Sequence, residues 1–304
     1  MPYQTKILFT SDIHGSETAF RKSLNAAKIY GATYLVYGGD MFSKDFLPVM
    51  SDGGSYFLDG KRVSLETIHE NFIQTGKMPL IITKEEFDYV LNNKEALRKV
   101  VLERLEAQVD KWVKIQREKA EYANFSVIWN LGNDDPLELD SILKSYDIET
   151  CQGKIVQLGD LTMICEGFVN PTPFQTHREV PDSTLYIRLE KLMEKVKPKE
   201  TILNVHAPPF NTKLDLALNK ERERVHVGSQ AVRDIIEKYQ PLLGLHGHIH
   251  ESPSTDKIGD TKIANPGSQY QDGLFRGVLV IIERYLEKGV LKSYRIKAME
   301  ILHG

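Results

Sequence analysis

The stretch Ile7-Leu8-Phe9-Thr10-Ser11-Asp12-Ile13-His14 sets the pattern for the whole chain: an apolar run that ends on side chains able to bind metal. An amphipathic segment over about Glu17–Tyr30 follows, with Phe20, Leu24 and Ala27 at helical spacing. A second apolar run, Tyr34-Leu35-Val36-Tyr37, then leads into Gly38-Gly39-Asp40. Strand, ligand turn, helix, strand, ligand turn is a βαβ opening and predicts parallel strands under helical cover.

The same punctuation recurs three times further on. Val127-Ile128-Trp129 precedes Gly132-Asn133-Asp134-Asp135, Ile202-Leu203 precedes Asn204-Val205-His206-Ala207-Pro208, and Leu242-Leu243-Gly244-Leu245 precedes Gly247-His248-Ile249-His250. In α/β folds, sites form in the crevice beyond the carboxyl ends of strands. Five strand ends meeting there would gather Asp12, His14, Asp40, Asn133, His206, His248 and His250. Seven donors are enough for two metal ions. Any one cluster alone is more often a polar turn; the five in this order carry the reading.

These motifs (D-x-H, G-D, G-N-D-D, H and G-H-x-H) resemble those of the calcineurin-like metallophosphoesterase superfamily, over Asp12 to His250. Asn265-Pro266-Gly267-Ser268 is similar to the turn that follows the last motif in many small members. The resemblance implies a four-layer α/β/β/α sandwich of two mixed sheets and a dinuclear phosphoesterase in which a metal-bridging hydroxide attacks phosphorus. It also implies the ligand roles: Asp12, His14 and His250 on one ion, Asn133, His206 and His248 on the other, and Asp40 between them. Imidazoles with hard oxygens suit Mn, Fe, Zn, Co or Ni, with Mn favoured.

One position departs from the family. Where most members have His, this chain has Asp134. A carboxylate beside two cations stays ionised and cannot donate a proton to the leaving oxygen. Asp134 and Asn133 are therefore the catalytic candidates, and phosphodiesters, or esters with good leaving groups, are the expected substrates. The opposing view is that Asp134 and Asp135 share a proton and act as a weak acid. A phosphomonoesterase is the alternative activity. A DNA nuclease would call for His at 134 and a basic surface, and a non-catalytic protein-binding scaffold for lost ligands.

Other candidates rest on less. Arg178, in the loop before a helix at Leu185–Lys195, and His177 beside it are expected near substrate phosphate, and His226 is expected at the pocket edge. His246 reads as structural, with a supporting role behind the ligands as the alternative; His69 and His303 read as surface residues.

Residues 1–45 and 124–304 read as the core, and 46–123 as a mainly helical insertion or cap. The insertion holds an expected hairpin with its turn at Asp59-Gly60, a short helix near Leu65–Thr75, a capping box Thr83-x-x-Glu86, and two helices divided at Asn92-Asn93. Its mixed charge reads as a solvated face. It can shape the mouth of the site or serve as a homo-oligomer contact. The end of the chain reads as a meander of Thr261–Ala264, Gly277–Glu283 and Leu291–Lys297, with a turn near Lys288-Gly289.

Composition is ordinary for a globular enzyme: 304 residues, 41% hydrophobic, 27% charged, net charge −3. That charge leaves no footprint for nucleic acid, so the expected partner is a small phosphate ester. No run approaches the ~20 apolar residues of a membrane span, and the first residues show no signal-peptide core. Cys151 and Cys165 are the two cysteines. A hairpin about Gly159-Asp160 would set Cys165 opposite Lys154, so they are expected as free thiols in a cytoplasmic protein.

Overall fold

The computed structural model describes residues 4–287 and 290–304. The chain begins β1 (Gln4–Thr10), α1 (Glu17–Ile29), β2 (Tyr34–Gly38). It continues with β3 (Phe46–Asp52), β4 (Ser55–Leu58), β5 (Lys61–Val63), α2 (Leu65–Thr75), β6 (Met78–Thr83), α3 (Lys84–Asn92) and α4 (Lys94–Ala123). Next come β7 (Ser126–Asn130), α5 (Glu138–Ser145), β8 (Ile155–Leu158), β9 (Leu161–Glu166), α6 (Asp182–Met193) and β10 (Thr201–Val205). The last third holds β11 (Leu216–Leu218), β12 (Arg224–His226), α7 (Gln230–Tyr239), β13 (Leu243–Leu245), β14 (Ser254–Ile258), β15 (Thr261–Asn265), β16 (Arg276–Glu287) and β17 (Val290–His303).

Two mixed sheets lie face to face. One runs β17-β16-β1-β2-β7, with β1, β2 and β7 parallel; the other runs β14-β15-β13-β10-β9-β8, parallel from β9 to β15. Alternation along the strands assigns each side chain to a layer. Ile7, Phe9 and Val36 meet Met163, Ile202 and Leu245 between the sheets, while Leu8, Leu35 and Tyr37 face the helices. α6 and α7 cover the second sheet through Leu185, Leu189, Val232 and Ile236. This is the α/β/β/α sandwich, with each fully buried Leu or Ile contributing about 1.5–3 kcal/mol.

The segment between β2 and β7 splits its loyalties. Its four-stranded sheet β5-β4-β3-β6 packs on α3 and the first turns of α4 through Leu80, Ile82 and Val90. The second half of α4 instead joins the core: Leu105, Val109, Trp112 and Val113 share a cluster with Phe20, Tyr37 and Trp129. The Trp112 and Phe20 rings stack at 4.1 Å between centroids. Lys111 Nζ, 2.6 Å from the buried Glu17 carboxylate, ties the same helix to α1.

Several local expectations are met. Asp59 and Gly60 both take positive φ, the hairpin turn anticipated there. Asn93 divides the two helices by capping α4, its Oδ1 accepting from the Glu95 and Ala96 amides at 3.0 and 3.1 Å. Others fail. The Thr83 hydroxyl donates to the Glu86 carboxylate at 2.9 Å and makes no cap to the backbone. β15 belongs to the second sheet while β16 and β17 close the first, so the chain end is no three-stranded meander. Period-2 patterning cannot say which sheet a strand joins. The expected turn at Lys288-Gly289 lies outside the described residues.

The cysteines are the clearest correction. Cys165 does pair with Lys154, its amide donating to the Lys154 carbonyl at 3.1 Å. Yet the chain turns back at 151–154, with Gly153 at φ +65°, and brings Cys151 within 5.6 Å Cα–Cα of Cys165 in a disulfide. Register within the hairpin says nothing of the turn that precedes it. The free-thiol argument for a cytoplasmic location therefore falls. Among the described residues no helix is long and apolar enough to cross a membrane.

Trp112→Ala is expected to destabilise the protein by about 3–5 kcal/mol in urea unfolding, because the stack against Phe20 cannot collapse without α4 shifting. A change near zero would mean that α4 is not part of the core.

Candidate metal centre

Each expected ligand follows its strand on a tight turn. Asp12, His14, Asp40 and His248 all sit in the left-handed region, at φ of 59°, 44°, 52° and 68°. Such backbone costs on the order of 1 kcal/mol or more per non-glycine residue and needs a surrounding that dictates it. The backbone supplies it: the Asp12 amide donates to Gly39 O at 3.0 Å, and His14 to Asp40 O at 2.9 Å. The His248 amide donates to the Asp12 carboxylate at 3.0–3.1 Å. Gly39 lies so close to its neighbours that a Cβ there would fall 2.7 Å from His206 Nδ1.

The side chains converge as two triads. Donor atoms of Asp12, His14 and His250 lie within 4.8 Å of one another, and so do those of Asp40, His206 and His248. His14 Nε2 is 3.0 Å from His250 Nε2, and His206 Nε2 is 3.2 Å from Asp40 Oδ2. The donors fit cations. His206 Nδ1 faces the Gly38 carbonyl at 3.0 Å, which leaves buried Nε2 turned toward the Asp40 and Asp12 carboxylates. Asn133 Oδ1 is buried without a hydrogen-bond partner.

The orientation of Asn133 follows from a proton count. Thr176 has one hydroxyl hydrogen and gives it to Glu179 Oε1 at 2.7 Å, so it must accept from Asn133 Nδ2 at 3.0 Å. That assigns Nδ2 to Thr176 and leaves Oδ1 as the buried acceptor without a partner. Glu179 also takes the Thr172 and Thr176 amides at 2.9 and 2.8 Å, stitching the 172–179 loop beneath Asn133.

Charges in the cluster are strongly coupled. Burial is the largest influence and would raise Asp12 and Asp40, but His206 together with His250 at Asp12, and His206 together with His14 and Lys44 at Asp40, outweigh it and hold both carboxylates below their ordinary range. Burial opposes a proton on His206, yet Asp40 and Asp12 raise its pKa to about 9. Burial lowers His14, helped by the Lys44 ammonium, and lowers His248 to about 4. An acid-rich cluster that pulls a proton onto His206 is one that a cation would relieve.

Asp134 and Asp135 do different work and share no proton. Asp135 is turned inward, accepting from the Met41, Phe42 and Gly132 amides at 3.1, 3.0 and 2.9 Å. Asp134 faces the cluster, with Oδ2 2.8 Å from Lys44 Nζ. Burial and the Asp40 charge push the Asp134 carboxyl up; Lys44 opposes them. Lys44 is a site residue that sequence reasoning misses. Its signal is faint: a lysine four places after Asp40, behind the buried Met41 and Phe42.

The remaining candidates separate. Arg178 is 1% exposed, and its guanidinium is spent on the Asp135 and Pro136 carbonyls and on Asp140 at 2.8 Å. It braces the Asn133 turn from behind and offers no face to a phosphate. His226 donates toward Asp215 at 2.8 Å on the β11–β12 hairpin. His177 is exposed beside Asp134, at the rim of a cavity. His246 is fully buried, with Nδ1 against the Val205 and Ala207 carbonyls, as a structural histidine would be. Tyr270, unforeseen, sets its ring 4.7 Å from His14.

Paired carboxylate–imidazole triads at converging strand ends define a metal-dependent phosphoric ester hydrolase. The sequence profile of calcineurin-like phosphoesterases matches residues 5–252, and the chain belongs to that family, whose members depend on two metal ions. An uncharacterised protein of Methanocaldococcus jannaschii is 32% identical over 160 residues, covering 51% of this chain and 71% of that protein. The solved structure of TT1561 from Thermus thermophilus superposes at a TM-score of 0.51 with 15% identity, covering 90% of this chain and 94% of that one. A looser likeness, TM-score 0.47 at 8% identity over 100% and 99% of the two chains, is to a dimetal phosphatase from Danio rerio.

Thr176→Val keeps the shape and removes the acceptor that orients Asn133. Calorimetric titration with Mn²⁺ is expected to show one of two sites weakened by about 10–100-fold, the other unchanged. Equal affinities in both proteins would detach Asn133 from metal binding.

Proposed function

We propose that the chain hydrolyses phosphodiesters in preference to phosphomonoesters. The residues that would hold the two cations are Asp12, His14 and His250 for one, and Asn133, His206 and His248 for the other, with Asp40 shared. Four imidazoles among hard oxygens suit Mn, Fe, Zn, Co or Ni, and Mn is favoured. When bound, such a pair supplies charge neutralisation at phosphorus and a water acidic enough to attack near neutral pH.

The observation that carries the diester preference is the presence of two cavities bordering the cluster. One, of about 410 Å³, is lined by His250, Ser268, Tyr270 and Arg276 among others. The second, of about 320 Å³, is lined by Lys44, Asp134 and His177 with residues of α4. They share no lining residue. A phosphate seated at the cluster has room for an alcohol arm on either side, and only a diester has two.

Lys44 then takes up the task that a family histidine would perform. The Asp134 carboxylate holds its ammonium 2.8 Å away, and the two acidic neighbours Asp134 and Asp40 raise the lysine pKa despite partial burial. A cation that keeps its proton stabilises negative charge on a leaving oxygen. The pair as a whole is neutral, so a phosphodiester monoanion meets less repulsion than beside a lone Asp134.

Metal-stripped protein reloaded with Mn²⁺, Co²⁺, Ni²⁺ or Zn²⁺ is expected to hydrolyse a bis-aryl phosphodiester with a higher kcat/KM than the matching aryl monoester, and Asp40→Asn to abolish both. The reverse ranking would make the enzyme a phosphomonoesterase. Lys44→Met is expected to lower kcat by about 10²–10³-fold for esters with alkyl leaving groups and far less for nitrophenyl esters. An equal loss for both would remove Lys44 from leaving-group stabilisation.

A further inference from the structure

The cavity of about 320 Å³ is walled by the insertion on one side and the 174–177 loop on the other. Phe46 and the α4 residues Val101 and Leu102 supply one wall; Phe174 and His177 supply the other. Lys44 and Asp134, paired at 2.8 Å, also line it, which sets the cavity against the candidate metal centre.

Its chemistry is uneven. Ser43, Gln175 and Thr176 offer hydrogen-bonding groups in parts of the lining, but Phe46, Val101 and Leu102 offer none, so a sugar or polyol laid against those three would leave the hydroxyls that face them unpaired, at a cost for each one desolvated. A flat aromatic group would not. Phe174 is 83% exposed, a large ring held at the mouth of the cavity with little cover of its own. Arg98 and Glu138, paired with each other, close the far end. The volume lies at the small end of organic-ligand sites, suited to a single aryl or nucleobase-sized group.

We propose that this cavity between the insertion and the 174–177 loop binds an aromatic arm of the phosphodiester, so that the insertion selects aryl- or nucleobase-bearing esters over alkyl and sugar esters. The inference rests on the diesterase reading for its phosphate but not for its contacts. It also assigns the insertion a task, because Phe46, Val101 and Leu102 all come from it.

Two monoanions with both substituents bound to phosphorus through carbon, methyl(phenyl)phosphinate and dimethylphosphinate, have no ester bond to cleave and separate the contacts from the chemistry. Calorimetry on Mn²⁺-loaded protein is expected to show the phenyl compound binding about tenfold more tightly or better, as burial of one ring face implies. Phe174→Ala, at an exposed position that folding does not need, is expected to weaken the phenyl compound by about 3–10-fold and leave the methyl compound unchanged. Leu102→Trp, which fills the cavity, is expected to do the same. Gln271→Ala, in the cavity beside Tyr270, serves as the contrast. Equal binding of the two compounds, or a phenyl-specific loss caused by Gln271→Ala and not by Phe174→Ala, would overturn the inference. Hydrolysis of bis-p-nitrophenyl phosphate, run in parallel, reports on the diesterase reading separately. Turnover without phenyl preference overturns only the aromatic arm; phenyl preference without turnover of any ester overturns only the diesterase.

Discussion

A single buried carboxylate holds the two halves of the centre in register. Asp135 takes three backbone amides, from Met41, Phe42 and Gly132, and thereby clamps the Asp40 turn to the Asn133 turn. Burial and the Asp40 charge raise its pKa to about 7, so the clamp works against an electrostatic cost. Hydrogen bonds to a charged group in such a place are each stronger than neutral ones, which is what lets the turns keep left-handed backbone at Asp40. Arg178 secures the same turn through the Asp135 and Pro136 carbonyls. With both turns fixed, Asp40 Oδ1 receives the Asp134 amide at 2.8 Å while Oδ2 remains within reach of His206.

The segment between β2 and β7 is bound into this arrangement and does not merely cover it. The Ser16 hydroxyl donates to Gln74 O at 2.6 Å, and a Cβ on Gly76 would stand 2.0 Å from His14 O. The end of α2 thus presses on the turn that carries His14, while α4 stacks Trp112 on Phe20 and its earlier turns wall the cavity beside Lys44. A change in the insertion can therefore reach the ligand cluster through packing as well as through substrate contacts. The Asn265 side chain does a similar job on the other flank, its amide donating to the Ile249 carbonyl at 2.9 Å and its Oδ1 accepting from the Gly267 amide.

Local chemistry is legible in the sequence where it is strong and short-ranged. The ligand turns, the Asp59-Gly60 turn and the Asn93 cap each depend on a few neighbouring residues, and each forms as those residues dictate. Features that depend on distant partners are harder to read. Arg178 looks like a free cation in a loop because nothing nearby in sequence announces the Asp135 and Pro136 carbonyls, 43 and 42 positions away. Lys44 escapes notice for the same reason, since its partner Asp134 lies 90 positions on. β3 and β6, parallel partners inside the insertion, leave no such mark either, because parallel pairing has no hairpin turn to announce it.

By itself the sequence determined which side chains stand as candidate donors, their order along the chain and the strand-then-turn rhythm, because those rest on side-chain chemistry and on strand and helix periodicities. Only the tertiary structure decided which sheet β15 and β16 join, that Cys151 reaches Cys165, and that the Lys44 ammonium reaches Asp134. Those outcomes depend on where separate segments meet in space. Burial, charge pairing and cavity shape come into being only when segments far apart in the chain share a surface.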